Sequence, residues 1–305
     1  HGMQTNSVTA IEIVTADGSL LRADAEHHPD LFWALRGGGG NFGIVTAIEF
    51  RAYPLEELYA GTLFFPFARA GEVLHAWAAM LAHLPDELMT WATLFHFPDL
   101  PIVPDGLRGG SFAVVSGAYL GDEGPGRRLL APLRALGPAQ DTWAMVPPAA
   151  LGDLAMDPPD PLPFELGHSL LSGLPHRAVD DLLAAVGPGS GSGTVLTALQ
   201  LRHMGGALGR PPEGAGARAT LPGEVLVVAL GVAPDDAAAR SVTARIDGAL
   251  ASVEHLRVGD YPNFVEVPAD ASGFFDPATW ARLRRVKAAY DPDDVFRGNH
   301  HIPPA

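Results

Sequence analysis

The sequence predicts an α+β fold made of more than one body, and three observations predict it. Residues 1–53 read as strands around one short helix and a run of glycines. Residues 54–257 alternate strand-like and helix-like stretches, which reads as strands joined by crossover helices. Residues 258–305 hold a capped helix and an irregular tail. With 305 residues, 47% of them hydrophobic, the chain can fill one large core or two ordinary ones.

Each element has its own warrant. Val8, Ile11, Ile13 and Val14 make a first strand, and Ala16-Asp17-Gly18 turns the chain into Leu20–Ala23, because Asp-Gly between apolar runs favours a hairpin. Pro29-Asp30 opens a helix with Asp30 as cap, Leu31, Phe32, Trp33 and Leu35 are apolar, and Gly37 is suited to the C′ position. The β-branched run from Ile44 to Tyr53 is a strand. Beyond Pro54, Val73, Leu74, Trp77, Met80 and Leu81 lie at helical spacing. Strands follow in "MTWATLFHF" and "SFAVVSGAYLG", a helix in "GPGRRLLAPLRALG", and a strand in "FELGHSLLSGL". A helix over 177–186, a Gly/Ser loop "GPGSGSGT", the strands "VLTALQLRHM" and "EVLVVALGV", and a helix in "DDAAARSVTARIDGALASV" complete this region, with no sequence repeat. The last helix takes Asp276 as cap and Pro277 as its first residue, shows a stripe of Trp280, Leu283, Val286 and Tyr290, and ends at Asp291-Pro292.

The four successive glycines pose the first functional question. Gly38 to Gly43 fit the dinucleotide pattern G-x-G-x-x-G. That pattern works when a strand precedes the glycines and a helix follows, so that the helix N-terminus meets the pyrophosphate. Here a helix precedes and a strand follows, so the Rossmann reading fails and the glycines serve a loop leading into a strand.

Composition narrows the class. The net charge is −15, from 20 basic and 35 acidic residues, which disfavours nucleic acid and anionic membrane surfaces as partners. No apolar run approaches the ~18 residues of a spanning helix. With no cysteine there is no disulfide and no thiolate chemistry within the chain. His96, His168 and His203 lack ligand spacing, so no metal site is expected. A single lysine, Lys287, among many arginines, with abundant Ala, Gly and Pro, suggests a bacterial genome of high GC content; the absence of cysteine fits either side of a membrane and leaves the compartment open, with bacterial cytoplasm as the expectation.

Two stretches together resemble a known family. "VTADGSLLRA" followed by "HPDLFWALRGGGGNFGIVTAIEF" is similar to the second part of the flavin domain in berberine-bridge-enzyme-like FAD-linked oxidases, of the vanillyl-alcohol-oxidase (PCMH-type) group. "YPNF" with "LRRVKAAYDPDDVFRGNHHIPP" resembles that family's C-terminal segment, with its Y-x-N, Y-D-P and F-R-x-N-x-x-I-P patterns. The resemblance implies the second part of a PCMH-type FAD-binding domain over 1–53. It implies a substrate domain, an antiparallel sheet covered by helices, over 54–257. It implies a C-terminal segment over 258–305 that returns to the FAD domain. The implied activity is that of a secondary-metabolism oxidase. A hydride passes from an alcohol, sugar or C–H bond of a small-molecule substrate to FAD, and O2 reoxidises the flavin. The family's covalent flavin histidine lies in an earlier segment, and no residue here matches it. That missing N-terminal segment is therefore an expected partner, and a non-catalytic remnant or fragment that keeps the substrate domain but cannot hold FAD by itself is the alternative.

Carried residue by residue, the resemblance places Gly38, Gly39, Gly40, Asn41, Gly43, Ile44 and Val45 against FAD, with Ile44 and Val45 near the adenine. A Cβ in such a loop would clash with the cofactor, and bare N–H groups are its donors. The residues alone leave open a tight turn with no ligand. The same resemblance places Asn263 and Asn299 on the flavin and Tyr261 beside the substrate, as base or hydroxyl partner. Tyr261 read by itself is equally an ordinary half-buried strand tyrosine. His301 stands where the family has a second asparagine. Thr93, Phe95, Glu165, Gln200 and Arg202 are candidates to line a pocket, with Gln200 and Arg202 on one strand face.

Overall fold

The computed structural model describes residues 1–97, 99, 103, 105–156, 161–186 and 196–305. The Gly/Ser loop expected at 187–194 lies outside the described residues. The chain opens with β1 (Val8–Val14), β2 (Leu20–Asp24), α1 (Pro29–Leu35) and β3 (Ile44–Phe50). It continues with β4 (Leu58–Pro66), α2 (Ala70–Leu81), β5 (Leu88–His96), β6 (Ser111–Tyr119), α3 (Glu123–Leu129), α4 (Ala131–Arg134), β7 (Gln140–Asp141) and β8 (Ala144–Val146). Then come β9 (Phe164–Leu171), α5 (His176–Val186), β10 (Ala198–His203), β11 (Val225–Val232), α6 (Asp236–Ser252), β12 (Arg257–Gly259) and α7 (Pro277–Tyr290). Two compact units result. One comprises His1–Pro54, Gly206–Pro222 and Gly259–Ala305; the other comprises Leu55–Gly205 and Gly223–Val258.

The first unit is a three-stranded antiparallel sheet, order β2-β1-β3, carrying α1 and α7. The hairpin turn forms where Asp-Gly predicts it: Thr15 N–H donates to Ser19 O at 3.0 Å, and Gly18 takes φ +82°. The core joins Ile11 and Ile13 of β1, Leu31 and Phe32 of α1, Phe42, Leu283 and Val286 of α7, and Ile302 of the tail. Leu283 is fully buried, and its truncation to Ala would cost about 2–5 kcal/mol. Helix α7 begins as its sequence dictates, with Asp276 accepting from Ala278 and Thr279 N–H at 3.0 Å and Pro277 first in the helix. Asp30 does not cap α1. The cap position is His28, in the left-handed region, and the Asp30 carboxylate instead pairs with Arg282 of α7 at 2.6 Å.

Residues 206–222, expected within 54–257, pack with this first unit. Ala217 N–H donates to Trp33 O at 3.0 Å and Arg218 N–H to Arg36 O at 3.1 Å, so the excursion is tied to the end of α1. Ala217 packs against the core of this unit and Leu221 is buried, but two apolar residues in a turn-rich stretch do not signal which body they join.

The second unit is a helix-covered antiparallel sheet, order β12-β9-β11-β10-β5-β6-β4-β7, with β8 beside β4. The expected crossover helices are present, but a third strand fills each crossover. Helix α2 links β4 to β5 while β6 lies antiparallel between them; α5 links β9 to β10 while β11 lies between them. Each half is thus a split βαβ motif, and the halves join edge to edge where β5 pairs with β10. The structure repeats although the sequence does not. Trp77, Val179, Leu182, Val242 and Ile246 of the helices pack on Leu63, Ala92, Leu94, Val115, Leu199, Leu201 and Val227 of one sheet face. The single helix expected over 124–137 is broken into α3 and α4 at Leu130, because Pro132 cannot supply the N–H that a continuous helix needs.

Candidate functional site

The glycine loop of the first unit divides into two kinds of glycine. Gly37 follows α1 with φ +129°, and a Cβ there would lie 2.5 Å from the backbone N of Arg218. At Gly38 it would meet Ala34 O and the Phe42 ring, each at 2.6 Å; at Gly43, φ +152°, it would meet Val14 O at 2.4 Å. These glycines serve packing. Gly39 and Gly40 are exposed. A Cβ on Gly40 would meet nothing, and one on Gly39, φ +67°, only the Asn41 amide at 3.7 Å. Among the described residues no atom stands within 4 Å of a Cβ at position 40, so packing does not require glycine there.

Asn41, buried, ties this loop to the tail. Its Nδ2 donates to Gly38 O at 2.8 Å and His300 O at 3.0 Å, and its Oδ1 accepts from Gly298 N–H at 3.3 Å and Ile302 N–H at 3.0 Å. The side chain is therefore spent within the protein, and any cofactor contact at this position falls to its backbone. Beneath it lies Lys287, fully buried on α7. The ammonium donates to Asn41 O at 2.8 Å, to Asp291 Oδ2 at 2.5 Å and to Phe296 O. Burial opposes ionisation of Asp291, but Lys287 and the N–H groups of Phe296 and Val295 outweigh it and hold the carboxyl below its ordinary range.

His300 carries the connection onward, its Nε2 lying 3.2 Å from Pro262 O. Pro262 stands between Tyr261 and Asn263, whose side chains bond to each other, Nδ2 to OH, at 3.2 Å. Gly38–Gly43, the tail and the Tyr261–Asn263 pair thus form one hydrogen-bonded assembly inside the first unit. Arg218 belongs to it: its NH2 donates to Phe274 O at 2.6 Å and its guanidinium lies over Phe275. Burial pushes the Arg218 guanidinium below its usual range, and the nearby Tyr261 oxygen pulls the other way. Asn263 and Asn299 are exposed, as are Ile44 and Val45 on β3. His301 is turned to Asp294, Nε2 to Oδ2 at 3.2 Å.

In the second unit, the sheet face away from the helices presents Trp91, Thr93 and Phe95 of β5 opposite Arg202, Gln200 and Ala198 of β10. Gln200 Nε2 donates to Thr93 Oγ1 at 3.1 Å, and Arg202 Nε donates to Gln200 Oε1. Glu165 does not join them. It shares strand parity with Gly167, which abuts Ile246 of α6, and so lies on the helix side; His168 takes the place on the opposite face.

Reasoning from sequence missed Lys287, Asp291 and Arg218. For Lys287 a signal existed: it is the one lysine in a chain that otherwise uses arginine, four residues after Leu283 on the apolar stripe and four before an aspartate.

Residues 272–303 match the family model "Berberine and berberine like". The FAD-linked oxidoreductase aurO of Gibberella zeae is 25% identical over all of this chain and 59% of its own length. The (R)-6-hydroxynicotine oxidase of Paenarthrobacter nicotinovorans is 28% identical over all of this chain and 67% of its own length. The crystal structure of 6-hydroxy-D-nicotine oxidase from Arthrobacter nicotinovorans superposes with a TM-score of 0.79 at 21% identity, covering 99% of this chain and 67% of that one, which establishes the fold. The chain spans about three fifths to two thirds of the length of these relatives. In sequence and in fold it is similar throughout to the FAD-linked oxidoreductases of berberine-bridge-like kind, and its C-terminal stretch is a berberine-like segment.

Proposed function

We propose that the protein containing this chain is an FAD-dependent oxidase of a small metabolite, and that the first unit holds part of the FAD site. The carrying observation is Gly39-Gly40, an open pair of bare backbone residues at the tip of a loop otherwise fixed on all sides. Exposed, uncrowded backbone of this kind can offer its N–H groups to phosphate or ring oxygens. Gly38, Gly39, Gly40 and Gly43 supply or shape the backbone surface, together with the main chain of Asn41. Ile44 and Val45 offer the apolar side, and Asn263 and Asn299 the exposed amides. FAD, when bound, supplies the hydride acceptor, with O2 as the terminal oxidant.

The chain's own contribution is orientation and proton handling. Tyr261 OH is the group to take a proton from, or hydrogen-bond, a substrate hydroxyl, with Asn263 as its partner and the Arg218 charge close by. The sheet face away from the helices in the second unit, with Trp91, Phe95, Gln200 and Arg202 half-buried around a buried Thr93, suits a substrate with both a ring and hydroxyl or amide groups.

The exposed apolar strand β3 supports a further point. Ile44, Val45, Ile48 and Phe50 are 58%, 42%, 54% and 57% exposed on the edge of a sheet. An edge of this kind is ordinarily covered. The relatives are longer than this chain, and we assign the cover to the additional flavin-anchoring segment of the same protein. The test of the whole reading is anaerobic mixing of the FAD-loaded complete protein with aromatic alcohols and sugars. Bleaching of the visible flavin band is the expected result. A colourless protein that takes up no FAD would instead support the non-catalytic remnant.

A further inference from the structure

We propose that Lys287 is a positioning residue for the glycine loop: by tying the Asn41 carbonyl to the Phe296 carbonyl and Asp291, it fixes the open Gly39-Gly40 pair against the C-terminal tail. The proposal rests on the cofactor reading above.

The chemistry of the node singles it out. An ammonium has three donors, and Lys287 directs them to one carboxylate and two backbone carbonyls that lie far apart in sequence. Asp294 adds a second carboxylate oxygen at 3.3 Å. Burying such a pair is expensive, and apolar residues of similar volume commonly stabilise a core as well or better. A core position on the stripe with Leu283 and Val286 would ordinarily be filled by leucine. What leucine cannot do is hold two carbonyls at a set distance from each other. The Asn41 carbonyl and the Asn41 side chain then act together: the first is pinned from below by α7, the second clasps Gly38, Gly298, His300 and Ile302. Gly39 and Gly40 make almost no packing contact of their own, so their place is inherited from Asn41.

The experiment uses the complete protein. Lys287→Met alone leaves Asp291 as an uncompensated buried charge, so the main variant is Lys287→Met with Asp291→Asn, which removes both charges, keeps the volume and leaves a side-chain oxygen to accept from the tail N–H groups of Val295 and Phe296. Two properties are read beside the thermal melt: FAD affinity, and hydrogen exchange at the Gly298 and Ile302 amides without FAD. The expected result is a cooperatively folded variant whose FAD dissociation constant rises about tenfold or more, with exchange at the two amides faster by a similar factor. A merely structural role moves the melt and leaves these two unchanged. FAD affinity and amide protection within about twofold of the parent, well under 1 kcal/mol, would overturn the proposal. Should the double variant fail to fold, Lys287→Arg is judged by the same two readouts, because a planar guanidinium keeps the charge but not the convergence on three acceptors. A parent protein that binds no FAD overturns the cofactor reading, and amide exchange then decides the role of Lys287 by itself.

Discussion

Replacing Gly40 by valine separates a ligand requirement from a folding requirement. The position is exposed, its φ lies outside the left-handed region, and a Cβ would meet no atom of the chain within 4 Å. The variant should therefore melt within about 0.5 kcal/mol of the parent, as surface substitutions do. Gly43→Ala, three residues on, is the control. It combines φ +152° with a Cβ 2.4 Å from Val14 O and 2.8 Å from Ile13 Cγ1. Strain and overpacking together predict a loss of about 2–5 kcal/mol there. FAD affinity should order the other way for its cause. At position 40 the valine methyls occupy the space next to the open N–H groups, and overlap with a ligand in contact costs about 1–3 kcal/mol, roughly 5- to 150-fold in affinity. Flavin retained on purification should then be lost from Gly40→Val although the fold is intact. Paired thermal melts and FAD titrations of the complete protein check this. Undiminished FAD binding by Gly40→Val, or a destabilisation as large as that of Gly43→Ala, would refute the assignment of this loop.

Three further outcomes follow from the same geometry. Tyr261→Phe should leave flavin content near normal and lower the rate of flavin reduction about 10²- to 10⁴-fold in anaerobic stopped-flow; a change within about threefold, less than 1 kcal/mol, would return Tyr261 to a packing role. Asp291 is held below its ordinary range, so its contribution to stability is complete above the unfolded carboxyl value of about 3.9 and is lost as pH falls through the lower folded value. Asp291→Asn should weaken the neutral-pH protein and flatten its acid melting curve, and an unchanged acid limb would count against the pair. Ile48→Lys on β3 should leave the melting of this chain alone nearly unaffected, since the side chain is exposed, but destabilise the complete protein by about 2 kcal/mol or more if further chain covers that strand; equal melting of the two complete proteins would leave β3 uncovered.

Local chemistry made part of this legible. Asp17-Gly18 specifies its hairpin, and Asp276-Pro277 specifies the start of α7, because turns and caps are decided by a few neighbouring residues. The glycine run could be identified as a loop between helix and strand from order alone. What escaped was set by distant contacts. The pairing of β5 with β10 brings residue 93 opposite residue 200, and no sequence repeat announces the two split βαβ halves. Residues 206–222 join the first unit through backbone hydrogen bonds to Trp33 and Arg36, which side-chain patterns do not reveal. Lys287 sits in a core because two carbonyls and a carboxylate converge on it, while hydropathy alone assigns lysine to the surface. Glu165 fell on the wrong face because strand parity depends on a register that only pairing fixes.

A crystal structure of the complete protein with FAD decides whether the glycine loop of the first unit holds the cofactor. Oxygen atoms of FAD should lie within hydrogen-bond distance of the Gly39 or Gly40 N–H groups, with Asn41 still clasped to Gly298 and Ile302. FAD bound elsewhere, with those N–H groups facing water, would contradict that assignment.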